Sequence, residues 1–213
     1  MFKRIFFFFL LTVAACVTSC DFFDDIACDA ALDTPMVLVS SDKSGLGYDF
    51  YMDVFEASRA NAGFDSAGND ITDACSYKNT VPWSNVIFLD ALEACDSAGK
   101  RLCTKEEWLS ACQLGGVYPY GDSYEASACN ASKTIATSGK YASCKNPLGI
   151  YDLSGNVKEL VTVGTNRLAV LGGAYNSTEA ELSCTAKSTE SYDVTTYSAQ
   201  PSVGFRCCRD VSI

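Results

Sequence analysis

Cysteine is the side chain with the widest chemistry in this 213-residue chain, and histidine is the one it lacks. There are 12 cysteines and no histidine. A thiolate can attack an electrophile, bind a soft metal or pair into a disulfide. Cys16 and Cys20 close an N-terminal apolar run, and ten more follow at 28, 75, 95, 103, 112, 129, 144, 184, 207 and 208. Their spacings are irregular and no Cys-x-x-Cys occurs, so no zinc site is expected. Without histidine the commonest general base and the commonest zinc or iron ligand are gone. Acid–base work would fall to carboxylates, Lys, Tyr or Cys. Ten cysteines in an exported domain read instead as a disulfide framework.

Export is expected from the first residues. Met1 to Arg4 form a short basic segment, and Ile5 to Ala15 are almost unbroken apolar. That run is too short to span a bilayer and suits the core of a signal peptide. Val13-Ala14-Ala15-Cys16 and Val17-Thr18-Ser19-Cys20 both resemble a bacterial lipobox, whose cysteine is lipidated and begins the mature chain. Parity favours Cys20. It leaves ten cysteines that can all pair, whereas Cys16 as anchor leaves one orphan; secretion without lipid is the alternative. The expected organisation is a lipoprotein signal peptide over 1–20, an acidic tether over 21–35 and a folded domain over 36–213. The expected location is the bacterial cell envelope, facing the periplasm or the cell surface, with the membrane as a partner through the lipid.

The formal net charge is −10. The first 20 residues hold Lys3, Arg4 and no carboxylate, so the remainder carries 14 basic against 26 acidic residues. That balance excludes the basic patch of a nucleic-acid binder. An apolar fraction of 48% is ample for a packed core.

The positioning elements are short. Met36 to Val39 and Phe50 to Phe55 read as strands, and 63–73 as a loop rich in Gly, Asn and Asp. Leu89 to Ala98 reads as a helix with Leu89, Leu92 and Cys95 on one face and Gly99 as its stop. A second helix opens with a capping box, Thr104 and Glu107, places Trp108 and Cys112 one turn apart, and ends at Gly115-Gly116. After Gly116 no long helical period recurs. Two short helices followed by a loop-rich, cysteine-tied half make an α+β domain.

Several fragments, taken in order, resemble one family. They are Phe55-Glu56-Ala57-Ser58, Val81 to Val86 with the helix to Cys95, and Tyr118-Pro119-Tyr120-Gly121-Asp122. Asn130, Gly149 to Glu159, Leu171-Gly172-Gly173-Ala174 and Gly204-Phe205-Arg206 follow. Together they are similar to the formylglycine-generating (sulfatase-modifying factor) domain, and the match spans about Met36 to Arg209. The resemblance implies a C-type-lectin-like sulfatase-modifying-factor fold, with two short helices, short strands and long disulfide-tied loops. It implies disulfides Cys95–Cys207 and Cys112–Cys184; Cys129–Cys144 is the best local pairing, and Cys28, Cys75, Cys103 and Cys208 stay unassigned. It also implies a calcium site at Asp152 and Glu159 through carboxylates and at Gly155 and Val157 through backbone carbonyls. A second such site would begin at Asn130 and Ala131, but the downstream Asp that it needs is missing.

The chain departs from the family where the family does its chemistry. The family's enzymes bind copper through two cysteines, one shortly after the Gly-Gly step and one five residues later. Here Ser177 holds the first place, no cysteine holds the second, and Cys184 fits the structural disulfide. A serine hydroxyl cannot replace a copper thiolate, and no histidine is present to activate it. Copper and the oxidase activity are therefore not expected, although the family is enzymatic. The aromatic pair that flanks Glu159 in the family is Lys158 and Leu160 here.

Three readings follow. The first is a non-catalytic binding or scaffold module for a protein, peptide or glycan ligand, with loop-borne Tyr118, Tyr120, Tyr124, Tyr175 and Tyr192 as a recognition surface. The second is an enzyme of altered chemistry, using Asp122, Glu125 or Glu179. The third is a purely structural envelope protein.

Overall fold

The computed structural model describes residues 35–186 and 192–212; the expected signal peptide, lipid cysteine and most of the tether lie outside them. In chain order the elements are β1 (Met36–Val39), α1 (Ser41–Ser44), β2 (Phe50–Asp53), β3 (Ser58–Arg59), β4 (Ala74–Cys75), α2 (Phe88–Ser97), β5 (Arg101–Leu102) and α3 (Lys105–Gln113). Then come β6 (Lys158–Thr162), β7 (Arg167–Leu171), a 3₁₀ turn (Glu179–Leu182), β8 (Tyr192–Asp193), β9 (Val203–Phe205) and β10 (Cys207–Asp210). This is the α+β architecture expected, with the one-turn α1 added.

Two four-stranded sheets carry the fold. The first runs β1-β2-β10-β5 and is antiparallel throughout. The second runs β8-β7-β6-β9, antiparallel except where β6 pairs in parallel with β9. β3 and β4 form a separate two-stranded ribbon.

The second sheet is covered on both faces, which explains why β7 reads Leu168-Ala169-Val170-Leu171 without polar alternation. Leu160, Leu168 and Val170 point into one core with Trp83, Phe88, Ala91, Cys95 and Phe205. Val161, Ala169 and Leu171 point into another with Phe50, Met52, Trp108, Cys112 and Leu153. One helix packs on each side, α2 on the first core and α3 on the second.

α3 starts where the capping box places it. Thr104 Oγ1 accepts from Glu107 N at 3.2 Å, and Glu107 Oε2 accepts from Thr104 N at 2.9 Å. Arg101 then clamps the same carboxylate at 2.7 Å.

α2 corrects one expectation. Its buried residues are Phe88, Ala91, Ala94 and Cys95, whereas Leu89 is 56% exposed. At 100° per residue Leu89 and Cys95 stand about 120° apart, too far for one face. Phe88, Ala91 and Cys95 share the stripe instead, and Phe88 has the larger ring to bury.

The two cores are joined covalently at Cys207 and Cys208. Neighbouring residues of a strand face opposite sides. Cys207 therefore reaches Cys95 on α2 in the first core, and Cys208 reaches Cys103 before α3 in the second. Cys112 pairs with Cys184 and Cys129 with Cys144, and Cys75 is also disulfide-bonded. Cys95–Cys207 spans 112 residues and Cys129–Cys144 spans 15. In the loop-closure model the longer bridge contributes about 4.7 kcal/mol and the shorter about 3 kcal/mol. Replacing Cys95 and Cys207 together by Ser should therefore lower the urea midpoint more than replacing Cys129 and Cys144. Equal losses would show that strain or packing, not loop closure, sets the contribution.

Candidate functional site

The most polar part of the interior is a buried charge centre. Glu159 on β6 and Arg206, between β9 and β10, form a two-pronged pair: Arg206 Nε to Glu159 Oε2 at 2.7 Å and Nη2 to Oε1 at 2.6 Å. Trp108 Nε1 donates to the same Glu159 Oε2 at 2.7 Å. Arg206 also donates to the carbonyls of Asp53 and Tyr151 at 3.0 and 2.8 Å. Both side chains of the pair are essentially inaccessible to water.

Two further carboxylates surround it. Glu56 Oε1 accepts from Val157 N at 3.1 Å; its Oε2 accepts from Asn156 Nδ2 at 2.6 Å and Ser138 Oγ at 2.8 Å. Asp152 Oδ2 accepts from Gly139 N at 2.6 Å. The turn that carries Asp152, Gly155 and Asn156 needs positive φ at all three, 58°, 78° and 54°. Only glycine fits the middle one, because a Cβ there would run into the Asn130 carbonyl. Asn130 is buried and spends its amide on Thr134 O and Asn156 Oδ1, while its own Oδ1 takes Ser132.

Three buried carboxylates thus face one guanidinium. Burial, with Asp152 and Glu159 behind it, pushes the Glu56 carboxyl well above its usual range. Burial likewise pushes Asp152 up to about 7, against the Gly139 hydrogen bond and the Arg206 charge. Burial opposes the Arg206 charge, but Glu159, Glu56 and Asp152 outweigh it and hold the guanidinium firmly protonated.

The residues implied for calcium therefore divide. Glu159 does not fit a ligand role as it stands, since Arg206 and Trp108 take both its oxygens. Asp152 does fit: among the described residues it takes a single side-chain hydrogen bond on one oxygen and none on the other. Gly155 and Val157 lie in the same turn and Asn130 against it; Ala131 follows, half-buried. Among the described residues no three Cys, Asp or Glu side chains cluster as metal ligands. Glu56 belongs to this centre although its distance in sequence, 96 residues from Asp152, hides it.

Ser177 occupies a tight turn. Its Oγ accepts from Ala174 N at 3.0 Å, and its N–H donates to Ala174 O at 2.9 Å. A second capping box, Thr178 with Glu181, begins the 3₁₀ turn directly after it. All nine cysteines among the described residues are in disulfides. No thiolate pair is therefore at hand beside Ser177, and the chain has no histidine to serve as its base.

The five loop tyrosines separate into groups. Tyr118 and Tyr120 stack at 5.4 Å and 13°, and Tyr124 leans on Tyr118 at 5.7 Å. Tyr120 Oη accepts from the Glu125 backbone N, and Asp122 Oδ1 accepts from Val117 N, so the Asp122 carboxylate and the Glu125 backbone serve the loop itself. Burial, with the Glu179 charge behind it, pushes the Tyr118 phenol up. Tyr175 and Tyr192 do not join it: Tyr175 bridges Asn156 and Lys133 through its backbone, and Tyr192 packs on Tyr197 at the far sheet. Beside Tyr120 lies an open cleft of about 270 Å³ lined by Gly115, Pro119, Tyr120, Ser143, Lys145, Asn146 and Pro147. Sequence reasoning did not single out Lys145 or Pro147; only their place after Cys144, which ties this loop to Cys129, hints at a role.

The match to known proteins follows the same outline. A family model described as the sulfatase-modifying factor enzyme 1-like domain matches residues 38–211. The inactive C-alpha-formylglycine-generating enzyme 2 of Bos taurus is 30% identical over 152 residues, which cover 61% of this chain and 50% of that protein. The chain thus spans about half the length of this curated relative. Among solved structures, Treponema denticola variable protein 1 superposes with a TM-score of 0.57 at 13% identity, over 76% of this chain and 85% of that one. PvdO from Pseudomonas aeruginosa gives 0.54 at 14% identity, over 76% and 81%. At these identities the likeness to solved structures establishes the fold.

The charge centre makes stability depend on pH in a defined direction. In the unfolded chain Glu56 and Asp152 titrate near pH 4. Folded, both hold their protons to higher pH, so their stabilising contribution is complete below about 4; that of Asp152 is lost as pH rises through about 7, and that of Glu56 as pH rises through its own raised value. In EDTA the urea midpoint should fall between pH 5 and pH 8, as the unfolding free energy drops by an amount on the order of 1–3 kcal/mol. A midpoint that stays level or rises over that interval would contradict the assignment.

Proposed function

We propose that this chain, which belongs to the sulfatase-modifying factor enzyme 1-like domain family, is a non-catalytic binding module exported to the bacterial cell envelope. One observation carries the reading: at the place of the family's reactive thiol stands Ser177, hydrogen-bonded into its own turn, and every described cysteine is in a disulfide. The name of the bovine relative, an inactive member of the family, agrees with it. Disulfides in this number also suit an oxidising compartment, and the basic-then-apolar N-terminus with Cys20 as lipid anchor would deliver the domain there. The recognition surface is the Tyr118–Tyr120–Tyr124 cluster with its adjoining cleft. An aromatic cluster on a loop held by disulfides loses little entropy on binding.

A calcium ion at the Asp152 turn is a second part of the proposal. Three carboxylates against one guanidinium leave the buried centre short of positive charge, and either protons or a hard cation would supply it. Asp152 would offer a carboxylate, with Gly155 and Val157 offering carbonyls. The ion would stiffen the loops that carry the cleft.

Four measurements test these readings. Thiol titration of the denatured, unreduced chain should find no free cysteine pair, and Cu(I) should not bind stoichiometrically. A glycan and peptide array should give ligands whose binding falls at least tenfold in Tyr120→Ala with Tm unchanged. A reactive pair that binds Cu(I) would return the chain to the oxidases. Calcium at 100 times its Kd should add about 2.7 kcal/mol of stability at pH 8, and Asp152→Asn should abolish that increment. If millimolar calcium leaves Tm unmoved, protons alone neutralise the centre.

A further inference from the structure

Tyr151 gathers two cations that have no carboxylate partner among the described residues. Lys145 Nζ stands 5.6 Å and Lys78 Nζ 5.9 Å from the centroid of its ring. Phe55 stacks on that ring at 5.2 Å and 26°, so one face is already covered. Gly139 makes room for the arrangement, because a Cβ there would fall 3.1 Å from Lys78 Cγ and 2.6 Å from Phe55 Cε1. Neither lysine forms an ion pair with a carboxylate among the described residues. Both are exposed. In a chain of net charge −10, surface ammonium groups have many carboxylates to choose from. Two that converge on one ring repel each other and gain only about 0.5–1 kcal/mol each from the ring when exposed. An anion placed between them would relieve the repulsion.

Lys145 also lines the cleft beside Tyr120, so the cationic spot and the cleft are one continuous surface. Tyr120 is held by its stack on Tyr118 and its hydrogen bond from Glu125 N, so it is a rigid platform. Asn146 is fixed too: it donates one amide N–H to Ala111 O, and its Oδ1 accepts from Leu148 N and Ile150 N. The groups that line the cleft are one aromatic ring, two prolines, the Ser143 hydroxyl, the Lys145 ammonium and the second amide N–H of Asn146. At about 270 Å³ the cleft is just below the usual range for drug-sized ligands and suits a single ring. A saccharide ring stacks its C–H face on an aromatic ring, whose face is electron-rich. Ser143 can exchange hydrogen bonds with a sugar hydroxyl.

We infer that the Tyr120 cleft binds an acidic sugar ring, carboxylated or sulfated, with its anion on Lys145 and the next acidic unit on Lys78. This rests on the binding-module reading and names the ligand class of its surface. The test is titration calorimetry of the full chain with trigalacturonic acid, a sulfated heparin disaccharide, neutral maltotriose and inorganic sulfate. At least one acidic sugar should bind, maltotriose at least tenfold more weakly, and sulfate alone more weakly still. Lys145→Ala should weaken the acidic sugar about tenfold, Lys78→Ala should weaken it less, and added salt should weaken it further. Lys145→Arg should keep it; Tm should stay level in all three variants, whose side chains are exposed. Failure of both acidic sugars to bind, equal binding of maltotriose, sulfate binding as tightly as a sugar, or indifference to Lys145→Ala each overturns the inference. A neutral sugar or a peptide that still depends on Tyr120 would overturn it while leaving the binding module intact. Loss of Tyr120 dependence for every array ligand would remove the module reading itself.

Discussion

A buried guanidinium holds this domain together. Arg206 reaches Glu159 on β6, the Asp53 carbonyl at the end of β2 and the Tyr151 carbonyl in the long loop. Through Glu159 it also fixes Trp108, and so α3. Both sheets, one helix and the loop that bears the acidic turn thus meet at one side chain. Removing a single partner from such a pair leaves an uncompensated charge in the interior, a loss of about 3–5 kcal/mol. Every element that touches Arg206 is therefore confined to a geometry that keeps it satisfied.

The disulfides extend that constraint outward. Cys207 and Cys208 follow Arg206 directly and anchor to opposite cores. The strand that presents the guanidinium is thereby fixed from both faces. Cys112–Cys184 and Cys129–Cys144 then pin the two loops that frame the tyrosine cluster. Few regular elements are needed once these ties exist, and long irregular segments can carry aromatic and basic side chains without collapsing. The cation-bearing ring of Tyr151 belongs to the same system, since its backbone carbonyl is one of the groups held by Arg206. Tyr151 and Asp152 are thus neighbours with different surroundings: Tyr151 stands beside the two lysines, and Asp152 enters the charge centre.

Much of the framework was legible in the residues. The capping box at Thr104 and Glu107, the strand Met36 to Val39 and the stop at Gly99 depend on local chemistry, and the structure contains each. The face of α2 was not, because Leu89 is as apolar as the residues that are buried; only the neighbouring sheet selects Phe88 and Ala91. The five tyrosines look equivalent in sequence, yet three cluster and two do not, since Tyr192 belongs to the edge of the second sheet. Glu159 resembles a metal ligand by its motif, and only the fold shows that it pairs with Arg206, 47 residues away.

By itself the sequence determined the family, the α+β class and the replacement of the reactive thiol by Ser177, because these depend on residue identity and order along the chain. Tertiary structure alone decided which carboxylates share one guanidinium, how Cys103 and Cys208 pair, and which lysines gather at Tyr151. The physical reason is that charge pairing and burial are set by distances through space. In this fold those distances are fixed by contacts between segments often a hundred residues apart, which no local pattern records.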